Sequence, residues 1–184
     1  MPFIITNKND LYIHIRGGDI FNYYPPHPLY AQPPFCYYEK VIKSKAFNNI
    51  YIISSDNSNI VIRYLLIKYN KIIHNINNIE YDISLLSHAY NIAISSSSFA
   101  LSAIKLNDNL RELWEYDIIR LSSKLFFLHH HTSKFHITYK IHTMKPSNNY
   151  KSKMFVWKNL PEQIKLMLED KCPYGFILTK TNEQ

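Results

Sequence analysis

The chain has 184 residues, 46% of them hydrophobic, so it is long enough to bury a core of its own. No apolar run approaches the roughly 18 residues needed to cross a membrane, and the first residues lack the basic start and apolar centre of a signal peptide. We therefore expect a soluble chain as written, with no indication of its compartment. The formal net charge of +7 suits an anionic partner.

Short apolar runs alternate with helical periodicity along the first two thirds of the chain. Apolar runs bounded by polar residues are typical of buried parallel strands, and apolar residues spaced three and four apart are typical of helices. The predicted strands are 11–15, 49–55 and 91–97, and the predicted helices are 37–45, 59–69 and 83–89. This alternation predicts an α/β fold, an open, doubly wound parallel sheet of Rossmann type, which binds ligands beyond the carboxyl ends of its strands.

The first loop at that edge, RGGD at 16–19, has the composition of a phosphate site. The strand period of two puts His14 and Arg16 on one side, while Gly17 and Gly18 permit close approach of the backbone to a ligand. Arginine suits bidentate phosphate contact. Asp19 is expected to hold the turn by accepting backbone N–H groups.

Two further loops, SDN at 55–57 and SSSF at 96–99, follow the other predicted strands. The serines place hydroxyls and free N–H groups at a helix N-terminus, which is a ready anion site. Each loop also has a structural alternative: an Arg16–Asp19 surface ion pair, a helix cap at Ser95–Ser98, and an N-cap at Asp56. The coincidence of three such loops at equivalent strand ends favours a ligand site.

Several motifs in this order resemble the donor-binding half of the α1,2-, α1,6- and protein O-fucosyltransferase group. They are HIRGGD (14–19), YYEKVI (37–42), IYIISSD (50–56), YDISLLSHAYNIAISSSSFALSA (81–103) and LW (113–114). The resemblance covers Leu11 to Asp117, and its most specific features are the HxRxGD-type motif and the sixteen positions between Asp82 and Ser98. It implies the C-terminal half of a GT-B glycosyltransferase, which takes GDP-fucose, inverts the anomeric centre and needs no metal or other cofactor.

The resemblance also implies roles for matching residues. Arg16 would hold the β-phosphate of the donor, and Asp82 would accept hydrogen bonds from the guanine edge. Asp19 is the carboxylate nearest to the predicted phosphate site and is therefore the candidate for a catalytic base, with a structural role in the turn as the alternative. Taking the loops and the resemblance together, the predicted donor-binding residues are His14, Arg16, Gly17, Gly18, Asp56, Asp82, Ser97, Ser98 and Phe99. Arginine and a helix N-terminus would stabilise the charge that builds on the departing diphosphate.

The sequence departs from the family pattern at three places. Gly17 stands where many members have a second arginine, and Asn57 replaces the second acidic residue of the family's SDD. Family enzymes also place an acceptor-binding domain ahead of this half, whereas about ten residues precede the first predicted strand. Three alternatives follow: the chain is part of a longer product, a second chain supplies the acceptor-binding domain for a glycan or protein hydroxyl, or the protein is a compact relative.

The remaining sequence, 118–184, is predicted to be a strand and helix extension that packs on the domain formed by 1–117. Residues 134–144 alternate like an edge strand, and 159–170 form a helical pattern with Pro161 in its first turn. We expect Trp157 and the face of Ile164, Met167 and Leu168 to pack on the sheet.

Metal and disulfide chemistry are not indicated. His129, His130 and His131 are consecutive, so their side chains point in different directions and suit a solvated loop better than a shared metal. Cys36 and Cys172 are too few for a disulfide framework, and we expect reduced thiols.

Two other classes of function are alternatives for this sequence. One is a non-catalytic module that keeps a nucleotide-sugar site. The other is a basic, tyrosine-rich domain that binds nucleic acid, which the sequence disfavours because it has no recognisable RNA- or DNA-binding motif and no continuous basic stripe.

Overall fold

The computed structural model describes residues 4–22, 26, 28–118 and 139–180. The strands in these ranges are β1 (Leu11–His14), β2 (Ile50–Ile53), β3 (Ile72–His74), β4 (Asn91–Ile94), β5 (Glu112–Tyr116), β6 (Lys140–Met144) and β7 (Phe176–Lys180). The helices are α1 (Asp19–Asn22), α2 (Phe35–Lys43), α3 (Ile60–Lys68), α4 (Ile79–His88), α5 (Ser98–Lys105), α6 (Asn148–Met154) and α7 (Pro161–Glu169). No helix in the described ranges is long and apolar enough to cross a membrane.

The described strands form one sheet in the order β3-β2-β1-β4-β5-β6-β7. Every neighbouring pair is parallel except β6 and β7, which are antiparallel. The chain winds outward from β1 to β3 and then crosses to β4 on the other side of β1. The carboxyl ends of β1 and β4 therefore flank the topological switch point, where open α/β sheets bind ligands.

Helices cover both faces of the sheet. Ile13 of β1 belongs to the buried cluster that includes Val41 of α2 and Leu65 of α3. Tyr12, the preceding residue, belongs to a second cluster with Leu86 of α4 and Ile104 of α5. Because successive side chains of a strand point to opposite faces, each face carries its own helix layer. The predicted α/β class and doubly wound, Rossmann-like sheet are confirmed.

The C-terminal elements differ in part from the sequence prediction. The predicted edge strand is wrong: its described part forms β6, which lies between β5 and β7, so β7 is the outer strand. The helix that begins at Pro161 is confirmed, and Trp157 and Met167 are fully buried as expected. The indole N–H of Trp157 donates to the carbonyl of Ile20 over 2.8 Å, which ties this tail to α1, the short helix that follows β1 and its glycine loop.

The expectation of reduced thiols is wrong. Cys36 on α2 and Cys172, after α7, form a disulfide with a Cα–Cα distance of 5.8 Å. The Nζ of Lys40 donates to the carbonyls of Cys172 and Tyr174, so a charged hydrogen bond joins the same two segments. The pairing depends on how α2 and α7 pack, and the spacing of the two cysteines in the sequence carries no sign of it.

Candidate functional site

Ser95 connects the ends of the two central strands at the switch point. Its Oγ accepts a hydrogen bond from the backbone N–H of Arg16 over 3.0 Å and lies 3.2 Å from Nδ1 of His14. The backbone N–H of Ser95 donates to the carbonyl of His14 over 3.1 Å, which continues the pairing of β1 with β4. The predicted arginine loop and serine loop therefore meet at one edge.

The Arg16 guanidinium is largely shielded and has two structural contacts. Its Nη2 pairs with both carboxylate oxygens of Asp19 at 3.1 and 3.3 Å, and its Cζ lies 3.8 Å from the centre of the Tyr30 ring. The side chain of Arg16 is 17% exposed and that of Asp19 is 61% exposed. Nε and Nη1 have no hydrogen-bond partner among the described residues, and these donors are the ones free to bind an anion.

His14 is a neutral, buried imidazole. Burial, together with the positive charge of Arg16, lowers its pKa to about 4. The Phe99 ring packs against it with 5.6 Å between ring centres. A neutral ring beside Ser95 has one donor and one acceptor nitrogen, so His14 can position a polar group without adding charge.

The two glycines are required by the carboxylate of Asp56. Gly18 has φ +64°, and its N–H donates to Oδ1 of Asp56 over 3.1 Å. A Cβ at Gly17 would collide with that same oxygen. The prediction that Asp19 holds this turn by accepting backbone N–H groups is therefore wrong, because Asp56 from the neighbouring loop does so and Asp19 pairs with Arg16.

Asp56 is fixed in its ionised form. Burial alone would raise its pKa, but hydrogen bonds from the hydroxyl and N–H of Ser58 and from the N–H of Gly18 lower it below its ordinary value. The proposed N-cap role is wrong, since Asn59 caps α3 by accepting from the N–H of Val61. The side-chain amide of Asn59 also donates to the carbonyl of Arg16 over 3.0 Å, which fixes the loop a second time.

The serine loop combines a cap with open donors. Ser97 caps α5 by accepting from the N–H of Ala100 over 3.4 Å, as its structural alternative predicted. Ser98 is exposed at the first position of the helix. The Oγ of Ser96 is buried without a hydrogen-bond partner among the described residues. The helix N-terminus therefore presents N–H groups and hydroxyls close to Ser95 and so to the arginine loop.

Asp82 lies in the first turn of α4, within the helix that we predicted to begin after it. Its carboxylate is buried and accepts a hydrogen bond from the side-chain amide of Asn77 over 3.3 Å. Burial raises its pKa, an effect that the Asn77 bond opposes. No hydrogen bond or ion pair joins Asp82 to Arg16 in the described ranges, so its contact with guanine stays a prediction.

One group of three metal-ligating side chains occurs in the described ranges: Cys36, Asp170 and Cys172. Its two sulfurs are joined in the disulfide, so they are not available as thiolate ligands. The three consecutive histidines lie outside the described residues.

Sequence reasoning missed two contributors to this region. Tyr30, which stacks under Arg16, lies in a proline-rich stretch without periodicity and gave no signal. Glu115 is 2% exposed near the end of β5, and its place between Trp114 and Tyr116 was an available sign of a buried carboxyl. Comparisons of the chain with protein-family models, with curated proteins and with solved structures find no match.

Proposed function

We propose that the chain binds a guanosine diphosphate sugar of GDP-fucose type at the switch point between β1 and β4. The observation that carries this proposal is the junction at Ser95, which brings the Arg16 loop to the N-terminus of α5. One cationic side chain with free N–H donors and one helix N-terminus facing the same crevice suit a diphosphate. The neutral His14 beside them suits a nucleotide, because it adds a hydrogen bond and no charge.

The proposed reaction is transfer of the sugar to a hydroxyl acceptor with inversion, as the resemblance to fucosyltransferases implies. Arg16 and the N-terminus of α5 would stabilise the negative charge that develops on the leaving GDP, and Ser95 already holds the backbone of Arg16 beside the loop that leads into α5. In this proposal the described residues form the donor side of a GT-B cleft, and a separate acceptor-binding domain or chain forms the other side.

The role of Asp19 favours a second candidate, a module that binds the nucleotide sugar without transferring it. Both carboxylate oxygens of Asp19 are engaged by Nη2 of Arg16, so the carboxylate is held by the arginine rather than presented to an acceptor hydroxyl. Release of Asp19 by a phosphate that takes over Arg16 would restore a base. Sugar transfer to a hydroxyl acceptor therefore separates the two candidates, while nucleotide binding is common to both.

Thermal unfolding with nucleotides tests the binding proposal. GDP and GDP-fucose should raise the melting temperature, whereas UDP-glucose and ADP-ribose should not, because a ligand that binds only the folded state stabilises it by mass action. Equal shifts with all four nucleotides, or none with any, would contradict the guanine assignment.

Chelation tests the metal-independent phosphate site. Affinity for GDP measured by calorimetry should be the same with and without EDTA, since Arg16 and α5 carry the phosphate charge. A tenfold loss, about 1.4 kcal/mol, would show that a cation is part of the site.

A further inference from the structure

Three buried polar atoms at the carboxyl ends of β4 and β5 lack hydrogen-bond partners among the described residues. They are Oγ of Ser96, Oε2 of Glu115 and Oδ1 of Asp117. Ser96 is 6% exposed and Glu115 is 2% exposed, so bulk water does not reach them freely. Native proteins rarely leave such atoms unpaired, and they pair them with ordered water or with a ligand.

Strand register places the three residues together. Continuing the parallel pairing of β4 with β5 sets Ser96 beside Asp117, two residues beyond Glu115. Because side chains alternate along a strand, Ile92 lies on the same face of the sheet as Ser96, and Leu113 lies on the same face as Glu115 and Asp117. Ile92 and Leu113 pack in the cluster beneath α4 and α5. All three polar groups therefore face the layer that contains α5. Asp117 is partly exposed, so solvent or a ligand can reach this group of residues from the carboxyl edge of the sheet.

Glu115 has one oxygen satisfied and one free. The hydroxyl of Thr143 donates to its Oε1 over 2.7 Å, which fixes the carboxyl group and leaves Oε2 for another partner. Burial raises the pKa of Glu115 to about 7, with a further rise from Asp117 and an opposing effect of Thr143. Near neutral pH the carboxyl group is therefore present in both forms and can accept or donate a hydrogen bond.

We propose that Ser96, Glu115 and Asp117 form a subsite that binds vicinal hydroxyls of the ligand. A hydroxyl group both donates and accepts, so two neighbouring hydroxyls can satisfy two carboxyl oxygens and a serine at once. This inference rests on the proposed nucleotide-sugar site, because Ser96 directly precedes the α5 cap. The diol can come from the ribose of the nucleotide or from the sugar.

Titration with ligands that present different hydroxyl groups tests the subsite. We would measure the affinity of the wild-type chain, Ser96→Ala and Glu115→Gln for GDP, 2′,3′-dideoxy-GDP and GDP-fucose. The matched control is Glu112→Gln at the opposite end of β5, where the carboxylate pairs with Lys45. For each variant we compare the ratio of its affinities for two ligands. A destabilised variant loses affinity for both ligands equally, so that loss cancels in the ratio.

If the subsite binds the ribose diol, the wild type should bind GDP at least fivefold more tightly than 2′,3′-dideoxy-GDP. If it binds the diol of the sugar, the wild type should bind GDP-fucose at least fivefold more tightly than GDP. In either case Glu115→Gln or Ser96→Ala should remove most of that preference, and Glu112→Gln should keep it. The inference is overturned if the wild type shows neither preference, or if Ser96→Ala and Glu115→Gln both keep the wild-type preference. Either result would be expected if these polar atoms bind only water. Failure of GDP to bind at all would instead overturn the proposed function, and the subsite with it.

Discussion

Replacing Arg16 should separate its contribution to binding from its contribution to stability. Its ion pair with the exposed Asp19 contributes about 0–1 kcal/mol, and its stacking on Tyr30 about 0.5–2 kcal/mol. Arg16→Ala should therefore lower the free energy of unfolding by about 0.5–3 kcal/mol, or the melting temperature by roughly 1–12 °C. Losing a charge-assisted phosphate contact should also weaken GDP binding by about 1.5–3 kcal/mol, on the order of ten- to a hundredfold.

Asp19→Asn is the matched control, because it removes the same ion pair and leaves the guanidinium in place. It should cost stability by less than about 1 kcal/mol and leave GDP affinity unchanged or higher, since Nη2 is released. Arg16→Lys should recover only part of the affinity, because an ammonium group lacks the planar fork. Calorimetry and thermal unfolding measure the two quantities. If Arg16→Ala binds GDP like the parent protein, HIRGGD is a structural turn and the phosphate assignment is refuted.

Three further predictions concern the fold around the site. Gly17→Ala should lower the free energy of unfolding by about 1–3 kcal/mol, because the new Cβ meets the carboxylate of Asp56, and Asp56→Ala in the same chain should relieve part of that cost in a double-mutant cycle. Cys36→Ser should cost up to about 5 kcal/mol by chemical denaturation, since the disulfide closes a loop with a sequence separation of 136, and an unchanged midpoint would show that the cross-link is dispensable. The pH dependence of stability combines two opposite effects: stability falls as pH drops from 6.5 to 4, where the unfolded state protonates His14 first, and falls as pH rises from 4.5 to 7, where the unfolded state ionises Glu115 first. Each effect reaches about 3 kcal/mol, and the two cancel between pH 4.5 and 6.5, so Glu115→Gln should turn that flat stretch of the pH–stability curve into a rise with pH, and an unchanged curve would contradict the burial of that charge.

The central strands were predictable because they satisfy a local rule. β1, β2 and β4 are apolar runs buried on both faces, which is the pattern of a parallel sheet interior. β3 has only three residues and β5 carries two glutamates, so neither produces that pattern. The outer position of β7 depends on antiparallel pairing with β6, a choice that tertiary packing makes.

The candidate site was predictable as a set of loops but not as a set of contacts. The order of strands and loops placed Arg16 and the serines at one edge, and the glycine doublet indicated an unusual backbone, which Gly18 has. Which acid holds the turn could not be read from local spacing, because Asp56 reaches Gly18 across 38 residues of sequence while Asp19 is adjacent. Local proximity favoured Asp19, and the geometry of the two strand ends favoured Asp56.

The disulfide between α2 and the tail also links the redox state of two cysteines to the rate at which the folded chain opens. Cys172 leaves the ribosome 136 residues after Cys36, so the bond cannot form while the shorter nascent chain is being made. In the folded chain α7 packs against α2 and the two Cα atoms lie 5.8 Å apart, within the range that a disulfide needs. In an oxidising compartment the cross-link would hold the tail to α2 and slow unfolding, and a reducing one would remove that protection.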